Sequence, residues 1–197
     1  MSPESGQLPA GRVAGAVLCG GASRRMGRDK ALVQVDGIAM VLRVAASLAA
    51  AGCEPVRAIG GDRPALESLG LAVVADGYPG EGPLGGVISA LADADLAGSV
   101  MVVSCDVPWL TEATVREVIA ALAAPGWDHG ADVAVARSDR LQPMCAAWRP
   151  SVLPRLRQAF EAGERRLSSV LATLRIVEVA VNPQDLANVN TPGDLPQ

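Results

Sequence analysis

Residues 20–32 read GGASRRMGRDKAL and place Arg24, Arg25, Arg28 and Lys30 within seven positions. Cations at that density repel one another unless an anion lies among them, and glycines let a backbone approach such an anion closely. Phosphate binding is the chemistry this composition favours, over the plainer alternative of a solvated loop. Two familiar phosphate loops do not fit. A Walker A loop has four residues between its glycines, then Lys and Ser or Thr; here five separate Gly21 from Gly27, and Arg28 comes next. The dinucleotide pattern GxGxxG is absent. Lys30 is the only lysine in the chain, against 16 arginines. A bias toward arginine explains the missing lysines, yet it left Lys30, which points to a need for a compact ammonium on a flexible stem.

A second group is VVSCDVPWL, residues 102–110. A carboxylate just after a buried strand points into the crevice beyond that strand, and Pro108 stiffens the next turn. Asp106 is therefore placed to hold Mg²⁺ against phosphate oxygens, because that ion takes hard oxygen ligands. The alternative is an aspartate that only caps a turn.

Composition narrows the function classes. Half of the 197 residues are apolar, enough for the core of roughly one domain. Three Trp, one Tyr and one Phe are the only aromatics, so that core is aliphatic. With 17 basic and 21 acidic residues the net charge is −4. Proteins that grip nucleic acid usually carry a basic balance and aromatic stacking platforms, so general nucleic-acid binding is disfavoured. No apolar run reaches the ~18 residues that span a bilayer, since Arg43 interrupts the longest candidate, Ile38 to Gly52. The opening MSPESGQLPAGR lacks the basic start and apolar stretch of a signal peptide. It reads as a disordered tail over residues 1–12, ahead of a single domain over 13–197, in a cytoplasmic protein. Cys19, Cys53, Cys105 and Cys145 show no metal-ligand spacing and read as buried reduced thiols. The single histidine, His129 in the loop GWDHGAD, excludes a multi-histidine metal site and leaves one place for a Ser/His/Asp triad.

Strand-like and helical segments alternate along the chain. Apolar runs of strand length fall at Val13–Cys19, Pro55–Ile59, Leu71–Ala75, Val100–Ser104, Asp132–Ala136, Gln142–Trp148 and Arg175–Val181. Between them, helical spacing marks Ile38–Ala51, Arg63–Leu69, Leu84–Leu96, Thr111–Ala124, Val152–Ala162 and Arg165–Leu174, with a terminal turn at Pro192–Leu195. The first helix stacks Val41, Val44, Ala45 and Leu48 on one face and stops at Gly52. Such alternation predicts an α/β fold with a mainly parallel sheet covered on both faces, whose ligands bind beyond the carboxyl ends of the strands.

Six segments occur in order: LCGGASRRMGRDKAL, DGYPGEGPLGGVISAL, SCDVPWL, LQPMCAAW, AGERRL and NVNTPGDL. Together they resemble the molybdenum cofactor guanylyltransferases, within the nucleotide-diphospho-sugar transferase-like superfamily, over residues 13–195. The resemblance implies a three-layer αβα Rossmann-like fold and transfer of GMP from MgGTP to molybdopterin, with pyrophosphate released. It implies that Leu18, Cys19 and Gly20 form the nucleotide-binding strand end and that Lys30 is the phosphate-loop lysine. It also makes Asp76 a second nucleotide-contacting acid, Asp106 the magnesium ligand, and Gly82–Gly86 and Asn188–Pro192 neighbours of the crevice. The Gly20-Gly21 pair resembles guanylyl rather than cytidylyl enzymes. GTP and molybdopterin are the implied partners, with proteins that deliver molybdopterin or receive the finished cofactor beside them.

The residues suit that chemistry. A terminal phosphate attacks already ionised, so no histidine base is needed, and Mg²⁺, Lys30, Arg24, Arg25 and backbone N–H groups would neutralise charge at the α-phosphate. Asp76 or a backbone carbonyl near Leu18 could read the two donors on guanine's pairing edge. Two positions depart from the family pattern: Gly60 stands where some members have asparagine, and Gln142 precedes Pro143 where many have histidine. The competing expectations are a related transferase using CTP or a sugar phosphate, and an accessory protein that binds nucleotide or cofactor without turnover.

Overall fold

In the computed structural model, residues 11–20, 29–94, 98–124, 130–190 and 194 are described. Strand β1 (Val13–Leu18) has all six residues buried, which only a strand in the middle of a covered sheet can have. It runs parallel to β4 (Val56–Ile59) on one side and to β6 (Ser99–Ser104) on the other. β5 (Ala72–Val74) extends the parallel block beyond β4. On the far side lie β8 (Leu141–Trp148), β7 (Val133–Arg137) and β9 (Ile176–Ala180), giving the order β5-β4-β1-β6-β8-β7-β9. β8 is antiparallel to both its neighbours, while β7 and β9 are parallel. The expected α/β class with a mainly parallel sheet is what the chain forms.

Alternate residues of β1 feed two cores. Val13 and Val17 face α1 (Met40–Ala50), α2 (Arg63–Ser68) and α4 (Glu112–Ala123). Ala14, Ala16 and Leu18 face α3 (Pro83–Asp93), α5 (Leu153–Glu161) and α6 (Leu167–Leu171). Both cores are aliphatic apart from Trp148 and Phe160 among the buried residues. All four cysteines are free and buried. No helix among the described residues is long and apolar enough to cross a membrane.

Several expected boundaries move for identifiable reasons. Ile38 and Ala39 do not open the first helix; they form β3 (Ile38–Ala39), paired antiparallel with β2 (Gln34–Val35). Asp36 and Gly37 between them both have positive φ, 52° and 78°, as a tight two-residue hairpin requires. Helix α1 therefore starts at Met40, with Val41, Val44, Ala45 and Leu48 buried as their spacing predicts. A 3₁₀ turn, Pro150–Val152, precedes α5, and α6 is a short helix of five residues rather than the ten-residue span read from periodicity. Thr111 caps α4, its side chain accepting from Thr114 N. The expected tail over residues 1–12 and the terminal turn at Pro192–Leu195 lie almost wholly outside the described residues, as does His129.

Candidate active site

The parallel register brings four strand ends to one edge. Leu18 stands opposite both Ile59 and Ser104, and Ile59 opposite Val74. The residues just beyond these strands therefore gather there: Cys19-Gly20, Gly60-Gly61, Ala75-Asp76 and Cys105-Asp106. The chain leaves β1 toward β4 and β5, then crosses by α3 to β6 on the opposite side of β1. That reversal opens the crevice in which α/β sheets bind ligands.

Lys30 and Asp106, 76 positions apart, meet at this edge. Lys30 Nζ lies 2.7 Å from Asp106 Oδ2 and 2.8 Å from Asn190 Oδ1. Both members of the ion pair are largely enclosed, with side chains 17% and 15% exposed. Asp29 fixes the lysine's approach. One carboxylate oxygen accepts from Ala31 N at 3.0 Å and caps the 3₁₀ turn Lys30–Leu32, while the other accepts from Asp62 N at 2.9 Å. That second bond ties the end of the glycine-rich basic segment to the turn after β4. On the other side, Val189 N donates to Asp106 O at 2.9 Å and Asn190 N to Asp194 Oδ2 at 2.8 Å, so the closing segment is docked on the same turn.

Asp76 sits a few strands away. Its Oδ1 accepts from Tyr78 N and from Ser89 Oγ, each at 2.9 Å. A Cβ on Gly20 would come within 3.3 Å of its Oδ2, and one on Gly60 within 3.2 Å of its Cβ. The glycines are what leave room here. Gly61 is required more strictly: its φ is +81°, and a Cβ would meet Cys19 Cβ and Leu66 Cδ1 at 2.9 Å. Cys19, Gly20, Asp29, Gly60, Gly61 and Asp76 are among the residues lining a cavity of about 400 Å³. A second cavity, of about 380 Å³, has Asp106, Arg140, Gln142 and Asn188 in its wall. Gln142 donates to Ser138 Oγ at 2.9 Å and so is partly committed within its own hairpin.

The strand-end residues contribute backbone rather than side chains. Leu18 is buried in one core and Cys19 in the other. Leu18 O accepts from Cys105 N at 3.1 Å and Cys19 N donates to Ile59 O at 2.9 Å, so sheet bonds hold this end. The hydrogen bond with Cys105, and burial after it, push the Cys19 thiol far above its usual range. Gly21, Arg24, Arg25 and Arg28 lie outside the described residues. Sequence reasoning does not single out Asn190, Asp29 or Ser89. Only Asn190 carries a signal, through its place in NVNTPGDL.

A mostly parallel sheet with a lysine–carboxylate pair and a glycine-lined cavity at the carboxyl edge of its parallel strands is an arrangement that α/β nucleotide-binding proteins use. The profile of the MobA-like NTP transferase domain matches residues 15–179. The chain belongs to this family and is a nucleotidyltransferase. The molybdenum cofactor guanylyltransferase of Rhodobacter capsulatus is 36% identical over 188 residues, covering 93% of each chain. That of Xanthomonas euvesicatoria pv. vesicatoria is 36% identical over 183 residues, covering 90% of this chain and 89% of the relative. Among solved structures, molybdopterin-guanine dinucleotide biosynthesis protein A from Archaeoglobus fulgidus superposes with a TM-score of 0.71 at 25% identity, over 92% of this chain and 94% of that one. A CMP:2-keto-3-deoxy-manno-octonic acid synthetase complexed with CTP shares the fold alone, with a TM-score of 0.71 at 14% identity over 92% and 94% of the two chains.

Proposed function

We propose that this protein transfers GMP from MgGTP to molybdopterin, forming the guanine dinucleotide cofactor and releasing pyrophosphate. The observation that carries it is the meeting of the chain's only lysine with Asp106 and Asn190 at the carboxyl edge of β1 and β6. Family membership and the names of its relatives support the same reading. In the reaction, the terminal phosphate oxygen of molybdopterin bonds to the α-phosphorus of GTP, and the bond from that phosphorus to the β-phosphate bridge oxygen breaks. No proton has to be removed from the nucleophile, so the chain's work is positioning and charge neutralisation.

An ammonium has three protons to donate. Asp106 and Asn190 take two of those of Lys30, which leaves the third for a phosphate oxygen and fixes where it points. Arg24 and Arg25 add countercharge from the preceding segment. Asp76 and the glycines around it form the nucleotide side, and the cavity beside Asp106 and Gln142 forms the side of the phosphate acceptor. The donor set fits Mg²⁺: Asp106 is a hard, largely enclosed carboxylate, and this ion is commonly held by one or two carboxylates together with substrate phosphates. Held by Asp106, the ion would supply neutralisation of the negative charge on the phosphates. Four buried free thiols suit a reducing compartment, and we place the protein in the cytoplasm, between proteins that deliver molybdopterin and molybdoenzymes that receive the product. Pyrophosphate release should be measured with GTP, CTP and ATP, each with and without molybdopterin. Release that needs both GTP and molybdopterin is expected; release with CTP instead, or binding without release, would replace this function with a cytidylyl or an accessory one.

A further inference from the structure

Helix α3 carries one buried side-chain hydroxyl, that of Ser89, among aliphatic neighbours. A hydroxyl out of water needs partners. Its oxygen lies 2.9 Å from Asp76 Oδ1, 3.0 Å from Gly77 N and 3.0 Å from Gly85 O. A serine inside a helix commonly donates to the carbonyl four residues back, here Gly85. Ser89 has one proton to give, and the carboxylate of Asp76, slightly nearer, is the stronger acceptor. The Ser89 oxygen in turn accepts from Gly77 N. Tyr78 N donates to the same Asp76 Oδ1 at 2.9 Å. Oδ1 thus accepts from two donors, one from its own turn and one from α3. Oδ2 is the oxygen beside Gly20, at the wall of the nucleotide cavity.

We propose that Ser89 is a specificity-determining positioning residue: together with Tyr78 N it fills Asp76 Oδ1 and leaves Oδ2 as the acceptor presented to the base, beside Gly20. This role rests on the guanylyl reading of the site. A fixed acceptor suits guanine, whose pairing edge offers adjacent N–H donors, and penalises a base that presents an acceptor at that point. Ser89 touches no nucleotide itself. It acts through the direction of one carboxylate, so its removal affects recognition before chemistry.

The test is equilibrium binding of MgGTP and MgCTP to the whole protein, for wild type, Ser89→Ala, Asp76→Ala and the double variant, with thermal melting recorded for each. Ser89→Ala should weaken GTP by roughly 10-fold, the scale of one lost hydrogen bond, and leave CTP nearly unchanged. In turnover it should raise KM for GTP more than it lowers kcat. The double variant should bind GTP no worse than Asp76→Ala, because Ser89 has nothing left to position. Ser89→Cys keeps the shape with a poor donor and should behave like Ser89→Ala, which covers an alanine variant that folds badly. An unchanged GTP-to-CTP ratio in both Ser89 variants, or losses that add in full to those of Asp76→Ala, overturns the positioning role alone. A wild-type protein without preference for GTP removes the guanylyl reading, and this proposal with it.

Discussion

Replacing Lys30 by arginine keeps the charge and removes the geometry. The ammonium stands 2.7 Å from Asp106 Oδ2 and 2.8 Å from Asn190 Oδ1, a compact donor reaching two oxygens that belong to different segments. A guanidinium is planar and wider, with its donors in one fixed fork. It cannot satisfy both oxygens and still send a donor out of their plane to a phosphate. The loss is that of one charge-assisted hydrogen bond to the substrate, about 1.5–3 kcal/mol. That corresponds to roughly a 10- to 150-fold fall in kcat/KM. The assay is pyrophosphate release at saturating Mg²⁺. It is paired with labelling by an amine-selective reagent, for which Lys30 is the only lysine target. MgGTP should shield Lys30 while the N-terminal amine stays reactive. An arginine variant within about threefold of wild type, together with a lysine that GTP does not protect, would refute the phosphate-binding role.

Other parts of the structure give three further expected outcomes. Asp106→Asn is nearly isosteric and should melt like the wild type, yet lose at least ~100-fold in turnover, as removal of one strong electrostatic stabiliser does; full activity would reduce Asp106 to a turn residue. Asp132 is buried, and the hydrogen bond from Arg175 holds its carboxyl below the usual range. Its stabilising contribution is therefore present above the ordinary carboxylate range and lost as pH falls through its lowered value. Asp132→Asn should cost roughly 1–3 kcal/mol at neutral pH, a gap that closes in acid denaturation series; a pH-independent gap would show that the charge is irrelevant. Burial pushes Cys53 and Cys145 each up to about 12, and Cys19 lies higher still. At a pH of about 8, near the ordinary thiol range, a thiol reagent should find these three unreactive until guanidinium unfolds the chain, so fast native-state labelling mapped to Cys19, Cys53 or Cys145 would contradict their burial.

Local pattern is legible in this sequence, and long-range pairing is not. β1 and β6 are unbroken apolar runs, and α1 repeats its buried face at helical spacing, so each can be located from the sequence to within a residue or two. The start of α1 is harder to place because Ile38 and Ala39 are apolar in either structure. The Asp36-Gly37 pair, a two-residue hairpin signal, is the local cue that assigns them to a strand. Pro143 sits inside β8, where a proline would ordinarily break the ladder. It is tolerated because the pairing with β7 slips between Val135 opposite Ala146 and Arg137 opposite Leu141. Only three residues join β7 to β8, too few for a crossover, so their antiparallel direction is legible, whereas the insertion of β8 between β6 and β7 is not. At the site, Lys30 and Asp106 each stand out by type and neighbours. Asn190 and Ser89 do not, since their roles arise only when segments 160 and 13 positions away fold against them.

Radiolabelled GTP tracks the transfer of the α-phosphoryl group with its nucleoside. The wild-type protein should be incubated with molybdopterin, Mg²⁺ and GTP carrying ³²P at either the α or the γ position, and the products separated. Label at the α position is expected to move into a molybdopterin-containing product, while γ label leaves as pyrophosphate. Gamma label in the pterin product, or α label that remains in free GTP or appears as GDP, would contradict this transfer.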